Sequence, residues 1–130
     1  MSAEPNPFAQ FEGRKYLSLE TYRKNGEGVR TPIWFAAEKD GPAPVLYIYT
    51  IADTGKVKRI RNNPRVQIAP CDVRGNITGE WVPARAEMLS ADAAARGMQM
   101  LNRKYFPLKQ IMAFLAKFSR RERLVIALRQ

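Results

Sequence analysis

The sequence predicts a mainly β domain, built as a small antiparallel barrel or curled sheet that carries a few helices. Three observations support this fold class: segments with strand periodicity dominate the chain, turn signals join them as hairpins, and the helical segments are few. The length of 130 residues is typical of one domain, which should bury roughly two-thirds of its unfolded surface. We therefore expect a single core.

Residues 1–12 read "MSAEPNPFAQFE" and mix prolines with small and polar residues. This composition predicts a flexible arm, with Phe8 and Phe11 as possible anchors. The folded domain is expected over residues 13–130.

The first two strands should form a hairpin. Leu17, Leu19 and Thr21 alternate with polar and aromatic neighbours in "KYLSLETY", and "KNGEG" supplies an Asn-Gly turn before the returning strand "VRTPIWFAA". Pro32 cannot donate a ladder hydrogen bond, so the second strand should be an edge or be bulged there.

The aromatic and β-branched run "VLYIYT" predicts a third strand, followed by a short helix in "IADTGKVKRIRNNP". Asp53 or Thr54 can cap this helix, Val57 and Ile60 share one face, and Asn63-Pro64 ends it.

The rest of the chain predicts three more strands and two helices. The strands are "RVQIAP", "EWVPARAEML" and "RLVIALR", and the helices are about residues 91–105 after Ser90 and the segment "LKQIMAFLAKF". Gly97 is unfavourable inside the first of these helices. The predicted order is β-β-β-α-β-β-α-α-β.

Composition limits the chemistry. The chain has no histidine, which removes His-based zinc sites, proximal-His haem and every Ser-His or Cys-His nucleophile. Twenty-two Lys and Arg against twelve Asp and Glu give a net charge of +10, which favours anionic partners. No apolar run is long enough for a membrane span, so we expect a soluble, cytoplasmic protein without a metal, and the lone Cys71 is not expected to be a nucleophile.

The basic segment from Thr54 to Arg65 is the first candidate site. A helix N-terminus binds phosphate, and Thr54, Gly55 and Lys56 add a hydroxyl, close backbone approach and a counter-charge. The alternative is that Val57 and Ile60 pack inward while the remaining cations are merely solvated. No Walker-type or dinucleotide glycine pattern is present.

Two further candidates are an aromatic strand and a basic C-terminal third. "RTPIWF" places backbone freed by Pro32 beside Trp34 and Phe35, where a flat ring could lie; alternatively Ile33 and Phe35 are core and Trp34 covers an interface. Arg103 to Arg129 is rich in cations, but its aromatics fit helix packing and no RNA-binding signature accompanies them. Sequence-specific nucleic-acid binding is therefore not expected.

Three segments together resemble a known family. "KYLSLETYRKNGEGVRTPIWFA", "LYIYTIADTGKVKRIRNNPRVQIAPCDVRG" and "WVPARAEML" are similar to the pyridoxamine 5′-phosphate oxidase-like split-barrel flavoproteins, and most similar to the PPOX-class F420-dependent branch. The resemblance implies a six-stranded antiparallel split β-barrel that forms a homodimer, with the cofactor in a groove at the subunit interface.

The resemblance also implies residue roles. The cofactor ring would lie near Thr31, Pro32, Ile33, Trp34, Tyr49 and Thr50. The phosphate would be held by Thr50, Thr54, Gly55, Lys56 and Lys58, with Arg59 and Arg61 as candidates for an acidic tail and Trp81 closing the groove from the other subunit.

The implied function is an F420-dependent oxidoreductase that passes hydride to an unsaturated or quinone-like small molecule. The alternatives are an FMN-binding flavoprotein of the same fold and a non-enzymatic flavin-, tetrapyrrole- or lipid-binding module. No catalytic residue is evident from the sequence.

Overall fold

The computed structural model describes residues 8–38, 43–51, 54–105 and 123–130. A short 3₁₀ helix, Ala9–Phe11, precedes the regular elements. The elements are β1 (Tyr16–Tyr22), β2 (Gly28–Glu38), β3 (Val45–Ile51), α1 (Gly55–Asn62), β4 (Arg65–Cys71), β5 (Val82–Met88), α2 (Ala91–Tyr105) and β6 (Arg123–Arg129). The predicted helix over residues 108–118 lies outside the described residues.

The six strands form a closed antiparallel barrel in the order β1-β2-β3-β6-β5-β4, so the predicted fold class is confirmed. The predicted β1–β2 hairpin is also confirmed, with Tyr22 opposite Gly28 and Gly26 at a φ of 89° in the connecting turn. Glycine suits this left-handed backbone because it has no Cβ to clash.

The strands alternate between two apolar clusters. Leu17, Leu19 and Ile48 are among the residues that point into the barrel, while Tyr47 and Val125 point outward and are covered by α2. Gly97 lets α2 approach closely, because a Cβ there would lie 2.6 Å from Val125 Cγ1. The glycine that is unfavourable for the helix thus serves its packing against the sheet.

The predicted N-terminal arm needs correction from residue 8 onward. Phe8 and Phe11 are buried in the barrel core, and the Phe11 ring meets Phe35 edge-on at a centroid distance of 5.7 Å. Both predicted anchors are confirmed, because their rings are buried in the core cluster and contact other aromatic rings edge-on.

Pro32 lies at an unpaired edge of the sheet, which is one of the two alternatives predicted for it. β2 pairs with β1 in unbroken register from Tyr16↔Trp34 to Tyr22↔Gly28, so there is no bulge. Its pairing with β3 covers only Phe35–Glu38. Within the described part of the chain, residues 28–34 of β2 therefore have a ladder partner on one side only. We call the stretch in which β2 and the end of β3 are not paired the gap between these strands.

Candidate cofactor-binding site

The N-terminus of α1 is the first part of the candidate site. Thr54 occupies the capping position in an extended conformation, but its side chain makes no capping hydrogen bond, and the first turn contains no acidic residue. The first-turn N–H groups of a helix carry partial positive charge and need acceptors. This helix end is therefore suited to an anion.

Three cations converge on this helix end. Burial lowers the pKa of Lys56, and repulsion by Arg59 lowers it further. Burial likewise lowers the pKa of Arg59, with a contribution from Arg23. Burial is the larger cause of both shifts, and the smaller contribution from neighbouring cations indicates a positive potential that a bound anion would relieve.

Arg59 is held in place by a contact that is remote in sequence. Its Nε donates a hydrogen bond of 2.6 Å to Oγ1 of Thr21, a buried residue at the end of β1. Its guanidinium also folds back over the start of its own helix, because a Cβ on Gly55 would lie only 2.8 Å from Arg59 Nη1. Gly55 thus leaves room for a cation beside the first-turn N–H groups.

The residues of α1 and its start that were predicted for the phosphate or for an acidic tail divide into two groups. Thr54, Gly55, Lys56 and Arg59 gather at the helix N-terminus, whereas Lys58 and Arg61 are exposed on α1. Val57 and Ile60 are buried as predicted and fix α1 against the barrel.

The predicted ring-binding residues of β2 do not share one face. Ile33 packs against the barrel core and Trp34 against the outer cluster beneath α2, so Thr31 points inward with Ile33, and Pro32 points outward with Trp34. The predicted alternative in which Ile33 and Phe35 are core matches this arrangement.

β3 shows the same division. Tyr49 packs on the outer cluster, while Thr50 is buried on the opposite face. These six residues therefore present their side chains to two different faces of the sheet, and their contact with a cofactor ring stays a prediction. A ring beside Pro32, Trp34 and Tyr49 would contact the inward-facing residues only through their backbone.

Trp81 is stacked within its own chain. The guanidinium carbon of Arg30 lies 4.5 Å from the centre of the Trp81 ring, and Arg30 Nε donates to Glu20 Oε2 at 2.7 Å. The hydrogen bond from Arg30 lowers the pKa of Glu20, and burial followed by the bond to Glu20 raises the pKa of Tyr22 to about 12. The role of Trp81 toward a partner subunit stays a prediction.

Lys104 is an exposed residue whose ammonium group is half-buried against the sheet, a contact that the sequence did not reveal. Its Nζ lies 3.8 Å from the centre of the Phe35 ring and donates to the Phe35 carbonyl at 2.9 Å and to the Arg14 carbonyl. Burial lowers the pKa of Lys104 to about 8. These two carbonyls are 69 and 90 positions away in sequence, so no local pattern could have identified the contacts.

Cys71 is buried, and burial followed by the nearby charge of Asp72 raises the pKa of its thiol. A protonated, buried thiol is a poor nucleophile. In the described ranges there is no group of three or more acidic or cysteine side chains that could hold a metal ion.

The helices that the structure describes include none with the length and hydrophobicity required to cross a bilayer.

Solved structures with similar folds give the comparison. A pyridoxamine 5′-phosphate oxidase-like protein of Listeria innocua superposes with a TM-score of 0.60 at 14% identity, covering 93% of this chain and 87% of its own. The heme storage protein HutZ of Vibrio cholerae superposes with a TM-score of 0.65 at 18% identity, covering 99% of this chain and 90% of its own. An F420 reductase superposes with a TM-score of 0.58 at 20% identity, covering 97% of this chain and 94% of its own.

These proteins share the split-barrel fold, and at such identities the likeness extends to the fold alone. No protein-family model matches the sequence, and no curated protein matches it significantly.

Proposed function

We propose that this chain, which has the split-barrel fold of pyridoxamine 5′-phosphate oxidase-like proteins, binds a phosphorylated flavin-type cofactor and acts as an oxidoreductase. The observation that carries the proposal is the N-terminus of α1, which has no side-chain capping bond from Thr54 and no acidic residue in its first turn, and beside which Lys56 and Arg59 lie. A phosphate is the group that such a helix end accommodates best.

The second part of the site adjoins the first. Ile51, the last residue of β3, is only a few positions before Gly55, and the gap between β2 and β3 lies along the same strand. In this proposal the helix end binds the phosphate, and Pro32, Trp34 and Tyr49 line the ring on the outer face of the sheet. The open edge of β2 at residues 28–34 offers backbone groups to polar atoms of the ring.

The residues that are present suit redox chemistry carried by a cofactor. A bound flavin or deazaflavin supplies the ring atom that donates or accepts hydride, while the protein binds, orients and excludes water. Neither histidine nor a nucleophilic side chain is required for this task. We propose that the proton reaches the substrate from solvent.

Charge favours F420 over FMN. FMN carries one phosphate, whereas F420 adds a tail of several carboxylates. Arg61 and Lys58 are exposed on the same helix as the proposed phosphate site and can interact with such a tail. We therefore propose reduction of an unsaturated or quinone-like small molecule by reduced F420, with FMN as the alternative cofactor.

A non-enzymatic binding module is the second candidate, because the similar structures include a heme storage protein. This chain contains no histidine, so it has no imidazole to offer a haem iron. Titration with haemin followed by absorbance distinguishes this candidate, since saturable binding at micromolar protein would support it over the oxidoreductase.

The activity is tested by mixing the protein with reduced F420 and menadione in the absence of oxygen. We expect the absorbance of oxidised F420 to increase with a rate proportional to protein concentration. A rate equal to that of the protein-free mixture, for menadione and for a panel of enones, would contradict the reductase. We further propose that the protein is cytoplasmic and forms a homodimer. Light scattering coupled to size-exclusion chromatography tests the dimer through its molar mass.

A further inference from the structure

Three arginines stand side by side on the outside of the barrel. Arg65 of β4 is directly opposite Arg85 of β5, and Arg85 is directly opposite Arg129 of β6. We call Arg65, Arg85 and Arg129 the arginine row. It lies on strands that the proposed cofactor site does not use.

The arginine row faces solvent. All three residues are exposed, while their neighbours Val66, Ala84 and Leu128 point into the core. Arg129 Nε lies 3.2 Å from Glu87 Oε2. Neither the Arg65 nor the Arg85 side chain has an ion pair or hydrogen bond to any residue in the described ranges.

The register makes this arrangement unusual. Like charges directly opposite each other destabilise an antiparallel pair. Folding of the sheet requires only that polar side chains on this face alternate with apolar side chains on the core face, so polar residues other than arginine would serve equally well. Glu87 pairs with Arg129, and Glu38, which is itself paired with Arg96, also interacts electrostatically with Arg129. Arg65 and Arg85 keep their charge without a carboxylate partner in the described ranges, so the row is net positive on a protein whose net charge is already +10.

The dimensions of the row fit a linear polyanion. Neighbouring strands are about 4.8 Å apart, so two steps span roughly 10 Å. Every nucleotide of a strand carries a phosphate, and in a duplex one strand advances about 3.4 Å along the axis per phosphate, so guanidinium groups about 5 Å apart can each reach a separate phosphate. Arginine also matches phosphate in a two-point geometry that lysine lacks.

Two other occupants fit less well. A protein that binds a bilayer surface is expected to insert exposed apolar side chains into it. In the described ranges Val73 is the one large hydrophobic residue that is strongly exposed, and it lies in the connection between β4 and β5 rather than beside the row. A two-fold contact with a second copy of the chain would place one arginine row against another, and their like charges would repel.

We propose that the arginine row binds the phosphate backbone of a nucleic acid without sequence preference. The other outward-facing positions around it, Gln67, Pro83, Glu87 and Ala127, include no aromatic side chain on which a base could stack. Binding should therefore be electrostatic and strongly salt-dependent. This inference does not depend on the proposed oxidoreductase function.

The test compares two variants of equal net charge. In R65Q/R85Q/R129Q the row is neutralised, and in the control K24Q/R74Q/R103Q three exposed cations elsewhere are replaced. Binding of a fluorescein-labelled oligothymidylate is followed by anisotropy over a series of salt concentrations. Each lost phosphate contact changes the slope of log K against log salt by about 0.7, so the row variant should have a slope shallower by about 2.

The control variant should retain most of the wild-type slope, and the single variant R85Q should lose about 0.7 of it. Thermal unfolding of each variant verifies that the fold is intact. Equal slopes for the row variant and the control would overturn the proposal, as would absent binding by the wild-type chain at low salt. A row variant that loses binding only to phosphatidylserine vesicles, or only self-association, would also overturn it.

Discussion

Replacing Lys56 by alanine should weaken cofactor binding strongly without destabilising the fold. Its ammonium group is half-buried at the N-terminus of α1, where burial and Arg59 lower its pKa. A hydrogen bond to a charged group contributes about 1.5–3 kcal/mol, and every 1.4 kcal/mol is about tenfold in the dissociation constant. The partial burial of Lys56 limits screening by water, so we expect a loss of about ten- to a hundredfold.

Lys58 provides the matched control, since it is exposed two positions further along the same helix. Exposed ion pairs contribute about 0–1 kcal/mol, so Lys58→Ala should raise the dissociation constant at most about fivefold. Fluorescence titration with F420 and with FMN gives both constants, and urea unfolding gives the stability of each variant. Removal of a desolvated cation should leave the free energy of unfolding unchanged or higher. Wild-type affinity in the Lys56 variant, or a larger loss at Lys58, would refute the assignment.

Three further predictions concern the barrel and its buried groups. Phe11→Ala should lower the free energy of unfolding by about 3–5 kcal/mol in urea titrations, because the ring is buried against Phe35, and a loss below about 1 kcal/mol would contradict that packing. Lys104 has a pKa of about 8 in the folded chain and an ordinary value of 10.5, so between these pH values the unfolded chain binds more protons than the folded chain. The free energy of unfolding of the wild type relative to Lys104→Met should therefore rise from pH 8 to 10.5. A difference that stays flat or falls over this range would exclude the pKa shift. Cys71 should resist Ellman's reagent in the folded protein at mildly alkaline pH and react in urea, since burial raises the pKa of its thiol, whereas rapid reaction of the folded chain would show an accessible thiolate.

Local patterns predicted the elements well because each strand carries its own alternation. Leu17, Leu19 and Thr21 are all buried on one face of β1, as the spacing required. Closure of the barrel was different, since it depends on pairs such as Leu46↔Leu128 between strands far apart in sequence. Alternation alone cannot choose among the possible strand orders; the resemblance implied a six-stranded barrel, and the structure gives the order of its strands.

The candidate site was predictable in part. The helix start at Thr54 and Gly55 follows from local signals, but the position of Arg59 depends on Thr21, which is 38 residues away. Arg59 is therefore part of the helix-end cluster rather than a free cation for a distant tail. The division between Thr31 and Pro32 could have been anticipated, because adjacent residues of a strand always point to opposite faces.

The central claim is that the end of α1 binds the phosphate of a flavin-type cofactor. Its most direct test is the fluorescence titration of the wild-type chain with F420 and FMN, with inorganic phosphate as competitor. We expect saturable binding of at least one cofactor at micromolar concentration, weakened by phosphate. Absence of saturation for both cofactors in this range, or binding insensitive to phosphate and to the loss of Lys56, would contradict it.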